Sequence, residues 1–242
     1  VKQGIFEVLS VGEIAKNTYE MVLSGDASAI TAPGQFVNVK LDGLYLRRPM
    51  SVCDLEGGRL TVIFKAVGKG TARMARMAPG TRLDILTGLG NGFDVTDAPG
   101  NPLLIGGGAG VPPMYLLAKA LLKAGKKPVM IMGFNTSDEI FYREKFEALG
   151  IETRVTACDG AQGCTVGFVT DAMHEERPYV MTCGPEPMLR AVFAKSGAGQ
   201  FSFEERMGCG FGACLLCSCE TKYGTKRICK DGPVLRREEI VW

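Results

Sequence analysis

The 242-residue chain carries 28 Lys and Arg against 26 Asp and Glu, a formal charge of +2, with 46% hydrophobic and 22% charged residues. This is a globular composition, long enough for two domains, with no basic excess for nucleic acid or a membrane surface and no apolar run of spanning length. No signal-peptide pattern opens it, so its nine cysteines, an odd number, are read as free or metal-bound thiols of a reducing cytosol.

Residues 1–99 read as short strands. IFEVLSV, YEMVL, GQFVNVKL, RPMSVCD, RLTVIFKAV and TRLDIL each alternate or carry a β-branched centre, and Gly, Pro, Asp and Asn turns separate them. Such spacing predicts a small antiparallel barrel. One short helix is expected at TARMARM, with Met74 and Met77 on a shared face. Residues 100–198 change pattern. PLLIGG is a strand and VPPMYLLAKALLKAG a helix, with prolines in its first turn and Gly125 as its stop. PVMIMGF is a second strand, and DEIFYREKFEALG a second helix running from Asp138 to Gly150. ETRVTA, VGFVTDAMHE, YVMTCG and PEPMLRAVFAKSG continue the alternation, which predicts a parallel sheet covered on both faces. Residues 199–242 hold five cysteines and too few apolar side chains for a core of their own, so a metal or a neighbour must hold them. The fold class expected is α/β plus all-β: a barrel, a parallel-sheet nucleotide-binding domain and a small cysteine module.

The cysteine module opens with MGCGFGACLLCSC. Cys209, Cys214 and Cys217 have the C-x4-C-x2-C spacing of a plant-type [2Fe-2S] site, and the interleaved glycines at 208, 210 and 212 let a tight loop turn its N–H groups toward sulfur. Structural zinc is the alternative, although zinc favours paired C-x2-C knuckles. For a fourth ligand Cys229 is preferred to Cys219, whose side chain alternates away from that of Cys217 along the same strand or turn.

Three other stretches suit anions. IGGGAGVPPM follows a strand and opens a helix, where glycines let a pyrophosphate approach backbone N–H groups; an ordinary strand-to-helix turn is the alternative. CGPEPM, from Cys183 to Met188, occupies a second strand-to-helix turn, although Cys183 could be only a small buried residue. LRRPMSV places two arginines and Ser51 on a barrel strand, and GKGT, from Gly68 to Thr71, opens the short helix; a solvated arginine pair is the alternative there. Asp138 and Glu139 after the second strand of the sheet would repel a 2′-phosphate and favour NAD. The single histidine, His174, is placed on a surface helix or its end and is not expected to act as a base.

In this order the motifs resemble the ferredoxin–NADP reductase superfamily. R-x-x-S is similar to its flavin motif, and GLGNGF at 88–93 to its G-P-L-G-N-x-F turn, with Thr87 in the place of proline. GGGAGVPPM and CGPEPM resemble its two nicotinamide-nucleotide motifs. The cysteine tail, with CKDGPVL at its end, is similar to the family of electron-transfer subunits of type B, NAD-dependent dihydroorotate dehydrogenases. The resemblance implies domains at 1–99, 100–198 and 199–242 that bind FAD, NAD and a [2Fe-2S] cluster. Arg48, Pro49, Met50 and Ser51 would hold FAD, with Arg48 at its pyrophosphate and Ser51 near the flavin N5. Ile63, Phe64 and Lys65 would line the flavin, and Gly70 and Thr71 would meet its phosphates. Gly106, Gly107, Gly108 and Gly110, with Gly184, Pro185 and Met188, would meet the dinucleotide, and Cys183 would approach the nicotinamide. Cys209, Cys214, Cys217 and Cys229 would ligate the cluster. Trp242 follows the cluster segment and is not given the flavin-stacking role of the terminal aromatic residue of many relatives.

The function so implied is oxidoreduction in pyrimidine biosynthesis. A cytoplasmic, FMN-containing dihydroorotate dehydrogenase catalytic subunit would pass electrons to this chain within a heterotetramer of two copies of each. A reductase subunit serving a sulfur or ferredoxin partner is the first alternative, and a non-enzymatic redox sensor or zinc-held module the second.

Overall fold

The structure, a computed structural model, describes residues 1–242. Six antiparallel strands form a closed barrel: β1 (Lys2–Ala15), β2 (Thr18–Ser24), β3 (Phe36–Val39), β4 (Arg48–Glu56), β5 (Arg59–Lys65) and β6 (Arg82–Leu89), in the order β1-β2-β5-β4-β3-β6. Period-two alternation sends Val8, Val37, Val39, Val62 and Ile85 into its core. On β3 the outward side chains are buried as well, because the C-terminal module covers Phe36 and Asn38. The short helix α1 (Lys69–Met74) ends before Met77, yet Met74, fully buried, and Met77, partly buried in the turn that follows, pack against the same barrel core, as the shared face expected of them requires.

The second sheet contains β7 (Leu103–Gly107), β8 (Val129–Phe134), β9 (Thr153–Ala157), β10 (Thr165–Val166), β11 (Tyr179–Cys183) and β12 (Ala198–Ser202). Its order, β10-β9-β8-β7-β11-β12, turns back at β7, and its strand pairs are parallel. Helices α2 (Val111–Lys123), α3 (Arg143–Ala148) and α4 (Glu186–Lys195) connect it. The helix expected from Asp138 is shorter than the sequence pattern suggests. Tyr142 takes a left-handed φ of 66°, which lets Phe141 and Tyr142 bury in the junction with the barrel, and the helix begins only at Arg143. VGFVTDAMHE gives only Val166, the second of the two residues of β10, and a 3₁₀ turn at Val169–Ala172, with His174 exposed beyond it.

The tail solves its shortage of apolar residues by borrowing neighbours. It supplies the hairpin of β13 (Ser218–Thr221) and β14 (Gly224–Arg227), and its strand β15 (Val234–Arg236) runs antiparallel to β12 at the edge of the second sheet. Cys217, Ile228 and Cys229 pack in one cluster with barrel residues Phe36 and Leu89. Asn91, in the GLGNGF turn, clamps the returning chain: its Nδ2 donates to Val234 O at 2.7 Å and its Oδ1 accepts from Val234 N at 3.1 Å. Barrel and second sheet meet through Cys53 and Ile63, which pack with α2 and α3 residues, and through Lys119–Asp54 at 2.8 Å and Lys145–Glu20 at 2.9 Å.

Candidate redox site

Of the two adjacent arginines, one is already satisfied. Arg47 pairs with Asp84 at 3.0 Å and donates to the Asp84 and Asn38 carbonyls. Arg48 has only the Leu46 carbonyl, and its guanidinium lies directly against Gly70, where a Cβ would collide with it. Gly70 is buried beneath it, and an arginine left without a carboxylate partner beside a helix start can take an anion. The hydroxyl of Thr71 is engaged locally, accepting from Val67 N at 3.1 Å and Gly68 N at 3.2 Å, so it shapes this loop. On β4, Ser51 stands opposite Phe36, and Pro49 opposite Asn38. Met50 and Phe64 point into the barrel core and can offer only backbone outward, whereas Ile63 faces the junction with the second sheet.

The two nucleotide-type turns lie side by side, because β7 and β11 pair in parallel with Gly106 opposite Cys183. They flank the point where the strand order turns back, the position of ligand crevices in open α/β sheets. The contact is backbone on backbone: a Cβ on Gly110 would stand 2.7 Å from Gly184 N and closer still to the Cys183 carbonyl. Side chains on Gly107 or Gly184 would collide with Met188. Gly108 instead supplies a φ of +49°. Burial pushes the Cys183 thiol up to about 12, aided by the Glu204 charge, so it is a neutral thiol at physiological pH.

The acids expected to select the dinucleotide are both engaged with the barrel. Asp138 pairs with Lys16 at 2.8 Å and Glu139 with Lys65 at 2.7 Å. A third acid missed in the sequence, Asp159, joins them at the carboxyl edge of β8 and β9 and accepts from Ser137 N and Oγ, each at 2.8 Å. Two of the three carboxylates are thus offset by lysines, and Asp159, held only by Ser137, is the one whose charge is not.

The cysteines of the tail form two pairs. Cys209 N donates to Cys214 Sγ at 3.4 Å, and Cys229 N to Cys217 Sγ at 3.4 Å. Ala213 N donates to Cys209 Sγ at 3.2 Å. Burial opposes a charge on Cys209, yet the N–H groups of Phe211, Cys214 and Ala213 bring it down to about 6. No group of three or more thiol, carboxylate or imidazole side chains is gathered as a ready-made metal site. Two thiols for each of two irons is the arrangement that a [2Fe-2S] cluster requires, and the donated N–H groups would support its charge. The pairs differ in surroundings: Cys217 and Cys229 are buried against the barrel, whereas Cys214 is exposed. Phe211, Leu215 and Leu216 stand around the exposed side at 48%, 61% and 60% exposure. Cys219, on β13, lines a cavity of about 320 Å³ with Gly184, Glu204 and Trp242. Trp242 packs edge-on against Phe193 and Phe201 at the far side of that cavity.

Residues 204–241 match the family model described as the iron-sulfur cluster binding domain of dihydroorotate dehydrogenase B, and residues 104–193 that of the oxidoreductase NAD-binding domain. The dihydroorotate dehydrogenase B (NAD(+)) electron transfer subunit of Geobacillus kaustophilus (strain HTA426) is 47% identical over 247 residues, covering 94% of each chain. That of Bacillus caldolyticus matches to the same extent, 47% over 94% of each. A solved structure of NADH-dependent reduced ferredoxin-NADP oxidoreductase, described for flavin-based electron bifurcation, superposes with a TM-score of 0.88 at 29% identity, over 98% of this chain and 89% of that one.

Proposed function

The chain belongs to the family of dihydroorotate dehydrogenase B (NAD(+)) electron transfer subunits, and from that premise we propose that it carries electrons from a catalytic partner subunit to NAD⁺. The observation that carries the reading is the placement of the paired thiols on the barrel face formed by β3 and β6, one strand from the flavin-type residues of β4. Three units are proposed: 1–99 for FAD, 100–198 for NAD and 199–242 for the cluster, the last lending β12 and β15 to the sheet of the second.

When bound, FAD exchanges single electrons with an iron–sulfur cluster and a hydride with nicotinamide, which is why both are needed between a one-electron and a two-electron carrier. The chain's own residues bind and orient. Arg48 neutralises the FAD pyrophosphate beside Gly70, while Pro49, Met50 and Ser51 on β4, with Ile63, Phe64 and Lys65 on β5, form the flavin bed. The packed glycines Gly106, Gly107, Gly108 and Gly110 admit the dinucleotide beside Gly184, Pro185 and Met188. Cys183 remains a protonated thiol, so it shapes the nicotinamide site without competing as a nucleophile. Cys209, Cys214, Cys217 and Cys229 ligate the cluster, and the N–H groups of Ala213, Cys209 and Cys229 support the thiolates. Asp159, whose charge no lysine offsets, would disfavour a 2′-phosphate at the adenosine end, beside Asp138 and Glu139 in their lysine pairs.

The partner proposed is an FMN-containing dihydroorotate dehydrogenase subunit, two of each in a cytoplasmic heterotetramer. The apolar rim of Phe211, Leu215 and Leu216 around the exposed thiol pair supports docking there. No helix of this chain is long and apolar enough to cross a membrane. The test is anaerobic purification with iron, sulfide and FAD analysis, followed by mixing with such a catalytic subunit and dihydroorotate. NADH formed only with both chains present supports the proposal; a colourless, zinc-containing chain that NADH does not reduce refutes it. The structural likeness to the ferredoxin-NADP oxidoreductase gives a second partner class, ferredoxin, for the same experiment.

A further inference from the structure

Asn38 is a single amide in the apolar strand β3, only 1% exposed. Its partners on the two adjacent strands are Pro49 on the flavin-type strand β4 and Leu86 on β6. Its Nδ2 donates to the Cys209 carbonyl at 3.4 Å, while its Oδ1 is buried with no partner. The carbonyl acceptor fixes which end of the amide faces the cysteine loop. That loop comes so close that a Cβ on Gly210 would collide with Nδ2, and Gly210 has a φ of +78°. A buried carbonyl oxygen without a donor destabilises the fold, and a long hydrogen bond returns little. Stability therefore gives no account of this residue. What the amide does achieve is to hold the Cys209 arm against the strand that neighbours the flavin bed, with its N–H on the carbonyl oxygen of the first ligand-type cysteine.

We propose that Asn38 is a positioning residue that seats the Cys209 arm of the cluster against the flavin-bearing barrel and raises the cluster's reduction potential. This rests on the four-thiolate reading above. A reduced cluster would carry one more negative charge, and an N–H donated to the Cys209 carbonyl offsets part of that oxygen's negative charge beside the site, which favours the added electron. Removing the amide lowers the potential and moves the electron toward the flavin.

The experiment uses the full chain loaded with FAD and iron–sulfide, comparing wild type with Asn38→Leu, Asn38→Ala and Asn38→Asp. Readouts are the cluster's midpoint potential and low-temperature EPR spectrum, thermal stability, and iron and FAD content. Asn38→Leu and Asn38→Ala are expected to shift the cluster–flavin electron distribution on the order of tenfold, about 59 mV downward for a one-electron couple, with altered g-values. Asn38→Asp, which puts a carboxylate in the same place, shifts it further down. Thermal stability of Asn38→Leu stays near or above wild type, since the orphaned oxygen is gone; this separates the role from a merely structural one. Loss of iron with retention of FAD in the variants also supports the seating role. Potentials within about twofold of wild type in cluster-loaded variants overturn the proposal, as does loss of iron and FAD together in all three. A wild-type chain with no reducible cluster signal overturns both this proposal and the four-thiolate reading, whereas a normal wild-type signal with unmoved variants overturns this proposal alone.

Discussion

Gly110→Ala probes the backbone contact between the two turns proposed to bind the dinucleotide. Gly110 has φ −85° and ψ −9°, values any residue accepts, so the backbone itself would tolerate alanine and gain a little from a stiffer unfolded chain. The cost is steric. The new methyl would stand 2.7 Å from Gly184 N and nearer still to the Cys183 carbonyl, all of it backbone at the ends of the paired strands β7 and β11, with no side chain free to swing away. Restoring ordinary contact requires the two turns to part by about 1 Å, an overpacking strain of about 1–3 kcal/mol. For a chain of this size that lowers the melting temperature by about 2–10 °C. A displacement of about 1 Å at a reacting centre costs on the order of a hundredfold in rate. The assay is NADH oxidation with an artificial acceptor, beside a melting curve, with Gly100→Ala as control because its Cβ meets nothing within 4 Å. Gly110→Ala with the control's kinetics and melting temperature would refute the packing argument.

Three further outcomes follow from the same geometry. Arg48→Ala removes the arginine left free for the FAD pyrophosphate, and FAD titration of apoprotein should show a dissociation constant raised by about 10–100-fold; Arg47→Ala, which breaks the pair with Asp84, should lower stability more than FAD affinity. Cys209→Ser and Cys229→Ser should each lose iron on analysis while keeping FAD, and Cys219→Ser should keep both, since Cys219 faces the cavity. Buried thiols and phenols make the fold sensitive to base. Burial raises Cys183 to about 12 and moves Cys53 and Tyr142 upward as well, so the folded chain holds protons that the unfolded chain releases from about pH 9. Stability is then full below pH 9 and falls as pH rises toward 12, and Cys53→Ala should flatten that fall in melting curves taken between pH 8 and 11.

Much of this was legible because it rests on local chemistry. Alternating strands with Gly and Asn turns can hardly form anything but an antiparallel sheet, and the C-x4-C-x2-C run carries its own geometry in its spacing. Pairing information was harder to read. Asp138 and Glu139 look free in the sequence, yet Lys16, in the β1–β2 turn, and Lys65, on β5, approach them from more than 70 residues away. Asn91 belongs to a recognisable turn, but its grip on Val234 depends on the tail returning to the barrel. The start of α3 was misplaced because burial of Phe141 and Tyr142 outweighed a continuous helical pattern. Asn38 did leave a signal, an amide inside GQFVNVKL, which a barrel strand facing only its own core and solvent would explain equally well.

The central claim is that one chain links nicotinamide, flavin and a one-electron centre. An anaerobic titration with NADH, followed together by visible absorption and EPR, measures that link. The account predicts that flavin absorbance and the iron–sulfur band bleach in one titration, complete near 1.5 equivalents of NADH, about three electrons per chain. Bleaching of the flavin alone, with an iron–sulfur centre present but not reduced by NADH, would contradict it.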